Sequence, residues 1–599
     1  MIRFREPISF RLRRRLSPLL FLYELMDTQR LIALIVFSFS GLMLWEAWNK
    51  HNHPPAILQP VAQTQGASQP KSNEANKIIA SLPSSLVPLG PGVPAVTTTV
   101  ASSTSPAVAA NAPRTPNRVL VTTDFLSVEL DTQGGDIRNV TLLKHGAHGD
   151  TNRAFTLMQE KAGAYFVAQS GLLGQNLPNH TAIWSASREK FDLGGDEKLE
   201  VALTNNDAPG IAVTKIYTFK RGSYVIDVRH DIKNDTGAPI LAKAYFQFLR
   251  DGNAPEGEST GNNPFTGVVT FTGPAIYTEL KKYQKVSFSD IDKDKQEFVK
   301  EASDGWVAMV QHYFVSAWLP ATGMKREFFT KKVSDKLYSA GVIVPVGPID
   351  SGVTGGISMA LYVGPQEQEG LKQLAPGLDL VVDYGWLTIL ASPMFMVLSF
   401  INKLVGNWGW TIVLFTILLK LTFFPLNQKA GKSQAHMKLM APKVEAMKAR
   451  YGDDKLKMNQ AMMELYKTEK VNPLGGCLPI VIQIPFFIAL YWVLLGAVEL
   501  RNAPWMGWIT DLSSPDPFYV LPVIMGASMF IQTKLNPAPP DPVQAKVMLY
   551  MPLVFSIMFF FFPAGLVLYW TMQNILGIVQ QWYILRTFSP EKIKAGAKK

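Results

Sequence analysis

The sequence predicts a polytopic α-helical membrane protein with six transmembrane helices, joined to a periplasmic all-β sandwich and a cytoplasmic helical hairpin. Three observations carry this prediction. Long apolar runs lie near both ends of the chain, about 250 residues of short alternating runs lie between them, and Lys/Arg gather in alternate connections. Of the 599 residues, 47% are hydrophobic and 18% charged, which excludes a wholly disordered or collagen-like chain. A single cysteine, Cys477, excludes an intrachain disulfide framework. The net charge of +11 favours an anionic contact: RNA, phospholipid, or both. The mean hydropathy of +0.09 would suit a soluble protein, but it averages over concentrated apolar runs.

Taken in order, residues 1–30 form a basic N-terminus, and Leu31–Trp48 is an apolar run whose only charge is Glu46. Its 18 residues are about the minimum for crossing a ~30 Å hydrocarbon core. A cleaved signal peptide is the rival reading, but no A-x-A-like site follows, so an uncleaved anchor is expected. Residues 49–117, rich in Pro, Ser, Ala, Thr and Gln, read as a flexible linker. Residues 118–370 read as the β sandwich. There Tyr224, Ile226, Val228 and Ile232 alternate with Asp227, Arg229, Asp231 and Lys233 before the turn Asn234–Gly237. Similar runs occur at Val119–Thr122, Phe125–Leu130, Val213–Phe219 and Ile357–Val363.

Residues 371–407 contain the apolar stretch Trp386–Leu404, interrupted by Ser392-Pro393. It reads as a periplasmic interfacial helix, with a short span as the alternative. Further transmembrane helices are expected at 408–426, 478–498, 517–533, 545–562 and 566–585. The last two come from one run divided at Pro563-Ala564-Gly565. The loop 427–474 reads as a helical hairpin, with arms Gln428–Arg450 and Lys455–Thr468 broken at Gly452-Asp453-Asp454. Residues 586–599 form a basic tail.

Charge tests this topology. Residues 1–30 hold seven Arg, the loop 427–474 ten Lys/Arg, and the tail five. The outward loop 499–517 holds only Arg501, and the turn 563–565 holds none. Both termini are therefore expected in the cytoplasm and the β domain in the periplasm of an inner membrane.

Enzyme motifs are lacking. Ala430-Gly431-Lys432-Ser433 resembles the end of a phosphate-binding loop, but Leu426 stands where the first glycine is required. His145 and His148 lie in a Gly-rich turn without partner ligands in sequence, so a surface turn is expected there rather than a metal site. No cofactor is expected.

Lys420 is more informative, because it lies inside an expected span with Thr416 one helical turn away. Snorkelling to the interface and a wet cavity inside the bundle are equally good readings of it. In the last span Tyr569, Gln573 and Gln580 share a stripe, with Trp570, Asn574 and Gln581 beside it, and Gln483 lies in the third span. Interhelical hydrogen bonding would account for some of these groups; a hydrated groove would use them all. In the hairpin, Met437, Met440, Val444 and Met447 form a stripe at helical spacing on the first arm, and Met458, Met462, Met463 and Leu465 supply apolar groups on the second. Mutual packing is the simpler reading and an adaptable apolar surface the other. The basic tail reads as positive-inside charge or as a contact for ribosomal RNA.

Several stretches together resemble one family. They are Met26–Arg30, Gly305–Tyr313, Asn407–Trp410, Val471–Pro479, Val498–Arg501 and Phe562–Tyr569. The combination resembles the YidC family, membrane protein insertases of Gram-negative bacteria, over essentially everything from Met26 onward. The resemblance implies five spans around a groove open to cytoplasm and lipid and closed to the periplasm. It implies an insertase and membrane chaperone, not an enzyme, acting alone or with the Sec translocon and its accessory subunits, without nucleotide hydrolysis. The implied partners are nascent membrane proteins, the ribosome and anionic phospholipid, with no DNA. By position, the groove residues are Lys420, Thr416, Tyr569, Trp570, Gln573 and Asn574; Ile484, Pro485 and Phe487 fall in a hydrophobic slide. Two departures stand out. The family usually has arginine where this chain has Lys420, which keeps the charge but not the bidentate fork. The family's usual start matches Met26, leaving residues 1–25 as a misassigned start or a basic extension. Without the resemblance two other functions fit: a solute transporter, or an anchored periplasmic protein that binds or processes carbohydrate.

Overall fold

The alternating runs of the middle region build two antiparallel sheets that face each other. The structure is a computed structural model, and it describes residues 117–587 except 148–149, 162, 256–269, 452–453, 470–477 and 536–541. All of these belong to one compact unit. The expected first span, nearly all of the linker and most of the basic tail lie outside the described residues.

One sheet has ten strands. In spatial order they are Glu301–Ala302, Arg326–Ser334, Leu337–Ile349, Ile240–Asp251, Ala164–Leu173, Asp150–Lys161, Asp136–Ala147, Leu126–Asp131, Arg118–Thr122 and Lys190–Asp192. The last of these pairs in parallel with its neighbour, an exception to the antiparallel pattern. The other sheet has nine: Lys282–Lys285, Gly273–Thr278, Trp306–Gln311, Phe314–Leu319, Thr354–Pro365, Val225–Asn234, Ile211–Lys220, Lys198–Asn205 and Ser185–Ala186. Period-two alternation sends Ile226, Val228 and Ile232 into the core between the sheets, where they meet Val140, Phe246 and Val342.

The nine-stranded sheet is covered on its outer side too. Trp306, Ala308 and Val310 face away from the sandwich core and pack under Leu371, Leu378 and Val381. This is why Trp306–Gln311 is buried along its whole length. Gly305 before it has φ +88°, and a Cβ there would overlap the carbonyl oxygen of Tyr277, so no other residue fits without moving the neighbouring strand.

The helices after the sandwich are α1 (Gln368–Leu374), α2 (Thr388–Val405), α3 (Trp408–Thr422), α4 (Phe424–Tyr451), α5 (Lys455–Thr468), α6 (Leu478–Gly496), α7 (Val520–Leu535), α8 (Pro542–Phe559) and α9 (Ala564–Thr587). By length and apolar composition α2 alone passes as a single spanning helix among the described residues, and α3 with the first ten residues of α4 passes as a bent pair. Two ion pairs tie the flanks of α2: Asp383 to Lys285 at 2.6 Å before it, and Lys403 to Glu369 at 2.9 Å near its end.

The helix expected to run unbroken to Leu426 breaks at Phe423 instead, and the chain turns by 60°. Pro425 explains the break, because it has no N–H for the carbonyl of Leu421 but suits the first turn of a new helix. The first hairpin arm therefore starts at Phe424, four residues earlier than expected. The phosphate-loop-like Ala430–Ser433 lies in mid-helix, with Gly431 against the side chain of Ile584.

Candidate functional site

α3 is positioned at its start by Asn407, whose side-chain oxygen accepts from the N–H of Trp410. The Asn407 amide also donates to the carbonyls of Pro504 and Trp505, so the helix cap is joined to the loop after α6. That loop is folded on itself. Asp516 is buried and accepts from the indole N–H of Trp508 and the backbone N–H groups of Phe518 and Leu521. Ala564 and Gly565, at the start of α9, donate to the carbonyls of Ser514 and Leu512. The loop thus caps the ends of α3, α7 and α9 together.

Below this cap lies an aromatic layer. Phe487 of α6 stands edge-on to Trp570 at 4.4 Å between centroids and parallel to Tyr569 at 6.3 Å, and Phe559 of α8 closes on Trp570 at 5.3 Å. Tyr569 and Thr416 are almost fully buried, and the Thr416 hydroxyl donates to the carbonyl of Ile412 in its own helix. Both belong to the packed interior of the bundle rather than to an open wall.

Beyond the aromatic layer the bundle becomes polar. A Cβ placed on Gly577 of α9 would stand 3.1 Å from Gln532 Nε2 and 3.6 Å from Lys420 Nζ, so three helices meet around this glycine. Asn574, one turn earlier, donates to the Ser528 hydroxyl at 3.3 Å. Gln580, one turn later, accepts from the Asn427 amide at 3.2 Å, and Gln581 donates to the carbonyl of Leu535 at 3.3 Å. Gln573 Oε1, Gln483 Nε2 and Gln580 Nε2 are buried with no hydrogen-bond partner among the described residues. No carboxylate pairs with Lys420 among those residues.

The structure therefore brings Lys420 and Gln532 together at Gly577, with Gln573 and Asn574 one turn earlier on α9, and sets Phe487, Tyr569 and Trp570 together in the layer above. Pro485 lies inside α6, and Ile484 is 48% exposed on its surface. Gln532 and Gly577 were not anticipated. A signal for them exists: Gln532 is a lone amide inside an apolar helix, and Gly577 sits midway between Asn574 and Gln580 on the polar stripe.

His145 departs from the expected surface turn. It is partly buried against Tyr224, with Nε2 2.9 Å from the phenol oxygen, and burial together with the Arg501 charge pushes its pKa down to about 4. His148 lies outside the described residues. Among the described residues no group of His, Cys, Asp and Glu could hold a metal ion.

Comparison with known proteins gives the family. A family model described as the YidC periplasmic domain matches residues 118–397, and one described as 60Kd inner membrane protein matches residues 400–592. The chain is 50% identical over 575 residues to the membrane protein insertase YidC of Aromatoleum aromaticum, spanning 96% of this chain and 100% of that one. The chain belongs to the YidC family. The corresponding protein of Dechloromonas aromatica is likewise 50% identical, over 96% of this chain and 99% of its own length. A solved structure titled as an active YidC insertase with its first transmembrane domain resolved aligns with a TM-score of 0.38 at 18% identity. It covers 78% of this chain and 93% of that one. Family membership makes the chain an inner-membrane protein with a periplasmic β-sandwich domain followed by a helical part.

Proposed function

We propose that this chain inserts proteins into the bacterial inner membrane and assists their folding there, taking nascent membrane proteins as its substrates. One observation carries the reading. An ammonium group, Lys420, lies inside an apolar helix bundle among amides and beside a glycine, with no carboxylate paired to it among the described residues. A half-buried charge with no carboxylate partner is costly in an apolar bundle, as are unpaired buried amides, so such a cluster needs a polar occupant. The polar flank of an incoming segment, or water in a groove, supplies one.

In this reading Lys420, Gln573 and Asn574 line the groove, with Thr416, Tyr569 and Trp570 as its packed roof. Ile484, Pro485 and Phe487 present the surface along which the apolar part of the substrate slides. The cap formed by the loop 501–517 closes the groove toward the periplasm. Transfer of apolar side chains into lipid, worth about 25 cal/mol per Å², drives insertion without nucleotide hydrolysis.

The proposed topology has six spans: the N-terminal run, α3, α6, α7, α8 and α9, with both chain ends in the cytoplasm. α2 is assigned to the periplasmic interface, although it is long enough to cross. An 18-residue helix is about 27 Å long, so a spanning α2 would carry Lys403 far from the β-domain side. Its ion pair with Glu369, and that of Asp383 with Lys285, support a helix with both flanks on one side. The hairpin α4–α5 and the tail then face the cytoplasm, where their basic charge suits the ribosome and anionic phospholipid, and the Sec translocon is the proposed partner for larger substrates.

The test is reconstitution of the purified chain in liposomes without nucleotide, followed by presentation of a freshly translated two-span protein. Protease protection above that of empty liposomes is the expected result. Its absence, with the protein folded and correctly oriented, would overturn the proposal.

A further inference from the structure

Two of the sequence stretches singled out above, Gly305–Tyr313 in the β domain and Val498–Arg501 after α6, take no part in the groove. The structure brings them together. The Arg501 guanidinium lies over three rings of the β domain, 4.8 Å from the centroid of Phe155, 5.0 Å from Phe314 and 5.7 Å from Tyr313. One of its Nη atoms donates to the carbonyl of Gly146 at 2.9 Å. Beside it, His312 Nε2 donates to the carbonyl of Leu495 at 3.0 Å. That carbonyl belongs to the last turn of α6, where the helix supplies no N–H donor of its own.

The connection from α6 to this socket is short and stiff. Ala497, Leu500 and Arg501 each donate a backbone hydrogen bond to a residue three or four positions earlier, and Val498 and Leu500 are buried. From Arg501 onward the chain enters the folded cap, in which Leu512 donates to Ala503 and accepts from Gly565 at the start of α9. The socket therefore grips the point from which both α6 and α9 depart. Within the membrane part, α6 packs chiefly on α2 and only lightly on α9 and α4. Its aromatic contacts toward α9 among the described residues are those of Phe487 with Tyr569 and Trp570 and of Tyr491 with Phe562, just before the start of α9.

We propose that Arg501 is a positioning residue, which by seating in the aromatic socket of Phe155, Tyr313 and Phe314 fixes the outer ends of α6 and α9 and so sets the width of the groove between them. A guanidinium suits this place because it stacks on rings while its edge donates hydrogen bonds, and desolvation strengthens both effects. The functional consequence rests on the insertase reading above; the mechanical one does not.

The test uses the full chain in lipid nanodiscs, with Cys477 replaced by serine and nitroxide labels at Val481 on α6 and Val579 on α9, both more than half exposed. Distance distributions are then compared across variants. Arg501→Gln and Phe155→Ala are each expected to broaden the distribution. Because both break one contact, the double variant is expected to be no broader than either. Arg501→Lys keeps the cation over the rings and should restore much of the sharpness. Insertion yield in liposomes should fall in Arg501→Gln and recover in Arg501→Lys. An unchanged distance distribution in Arg501→Gln, or additive broadening in the double variant, would overturn the proposal. Failure of the unmodified chain to insert would instead sink the insertase reading and leave the distances to judge the joint. Should Arg501→Gln not fold, Phe155→Ala tests the same contact from the opposite side.

Discussion

Gly577 of α9 faces Lys420 of α3 so closely that a Cβ on the glycine would stand 3.6 Å from the lysine nitrogen. The same Cβ would be 3.1 Å from the Gln532 amide of α7. The glycine is thus the point where the side chains of two other helices converge, and in the proposed function the space it leaves is part of the groove.

Filling that space should block the groove without removing its charge. Gly577→Leu is expected to displace Lys420 and Gln532 and to lower insertion yield several-fold. Gly577→Ala, which asks for a shift of only a few tenths of an ångström from a flexible amide, should be tolerated. Protease-protection yields measured beside helical content check this. Equal yields from the leucine variant and the parent chain would show that the space is not used.

The joint after α6 contains an acid whose pKa its surroundings raise. Burial, with smaller contributions from the charges of Glu367 and Glu369, pushes the Glu499 carboxyl up to about 7. A raised carboxyl pKa means that the folded protein binds the proton more tightly than the unfolded chain. Its stabilising contribution is therefore complete below the ordinary carboxylate pKa of about 4.5 and is lost as pH rises to about 7. Glu499→Gln should flatten the dependence of melting temperature on pH over this window and raise the melting temperature at pH 8. A variant that kept the parent's slope would place the titration elsewhere.

The β domain has its own buried ammonium. Lys215 Nζ donates to the carbonyls of Ser170, Gly134 and Gly135 at 2.8, 2.9 and 3.2 Å, which uses all three of its protons. Nearby Asp136 is fully buried, accepts from Gln169 at 2.8 Å and pairs with Arg138 at 3.4 Å. Lys215→Met would take a donor from all three carbonyls, of which Gly135 keeps the Tyr217 hydroxyl, and remove a compensating charge. A loss of about 3 kcal/mol in the unfolding free energy of the β domain is expected, to be read from urea unfolding followed by its tryptophan fluorescence. A loss below about 1 kcal/mol would mean that the network relaxes around the gap.

Much of this architecture is legible in the sequence because it depends on local periodicity. The strand Val225–Asn234 and its turn follow from alternation and from Asn234–Gly237, and the arm Lys455–Thr468 follows from Asp454 as its cap. Lys420 attracts attention because a charge inside an apolar run is costly wherever the run lies. What is not legible depends on contacts between distant residues. The bond from Arg501 to Gly146 spans 355 positions, and the meeting of Lys420, Gln532 and Gly577 involves three separate helices. The break at Phe423 was readable from Pro425, but the apolar run passing through it hides the break. The burial of His145 follows from the Tyr224, Phe314 and Arg501 side chains around it, and none of these is near it in sequence.

In the proposed function the Lys420 charge draws the polar flank of a substrate into the bundle. The most direct measurement compares Lys420, Lys420→Ala and Lys420→Arg chains in liposomes on two substrates that differ only in the charge of the translocated tail. The alanine variant should lose several-fold more insertion of the acidic-tailed substrate than of the uncharged one, and the arginine variant should retain both. Equal losses on the two substrates, or none, would contradict an electrostatic role for Lys420.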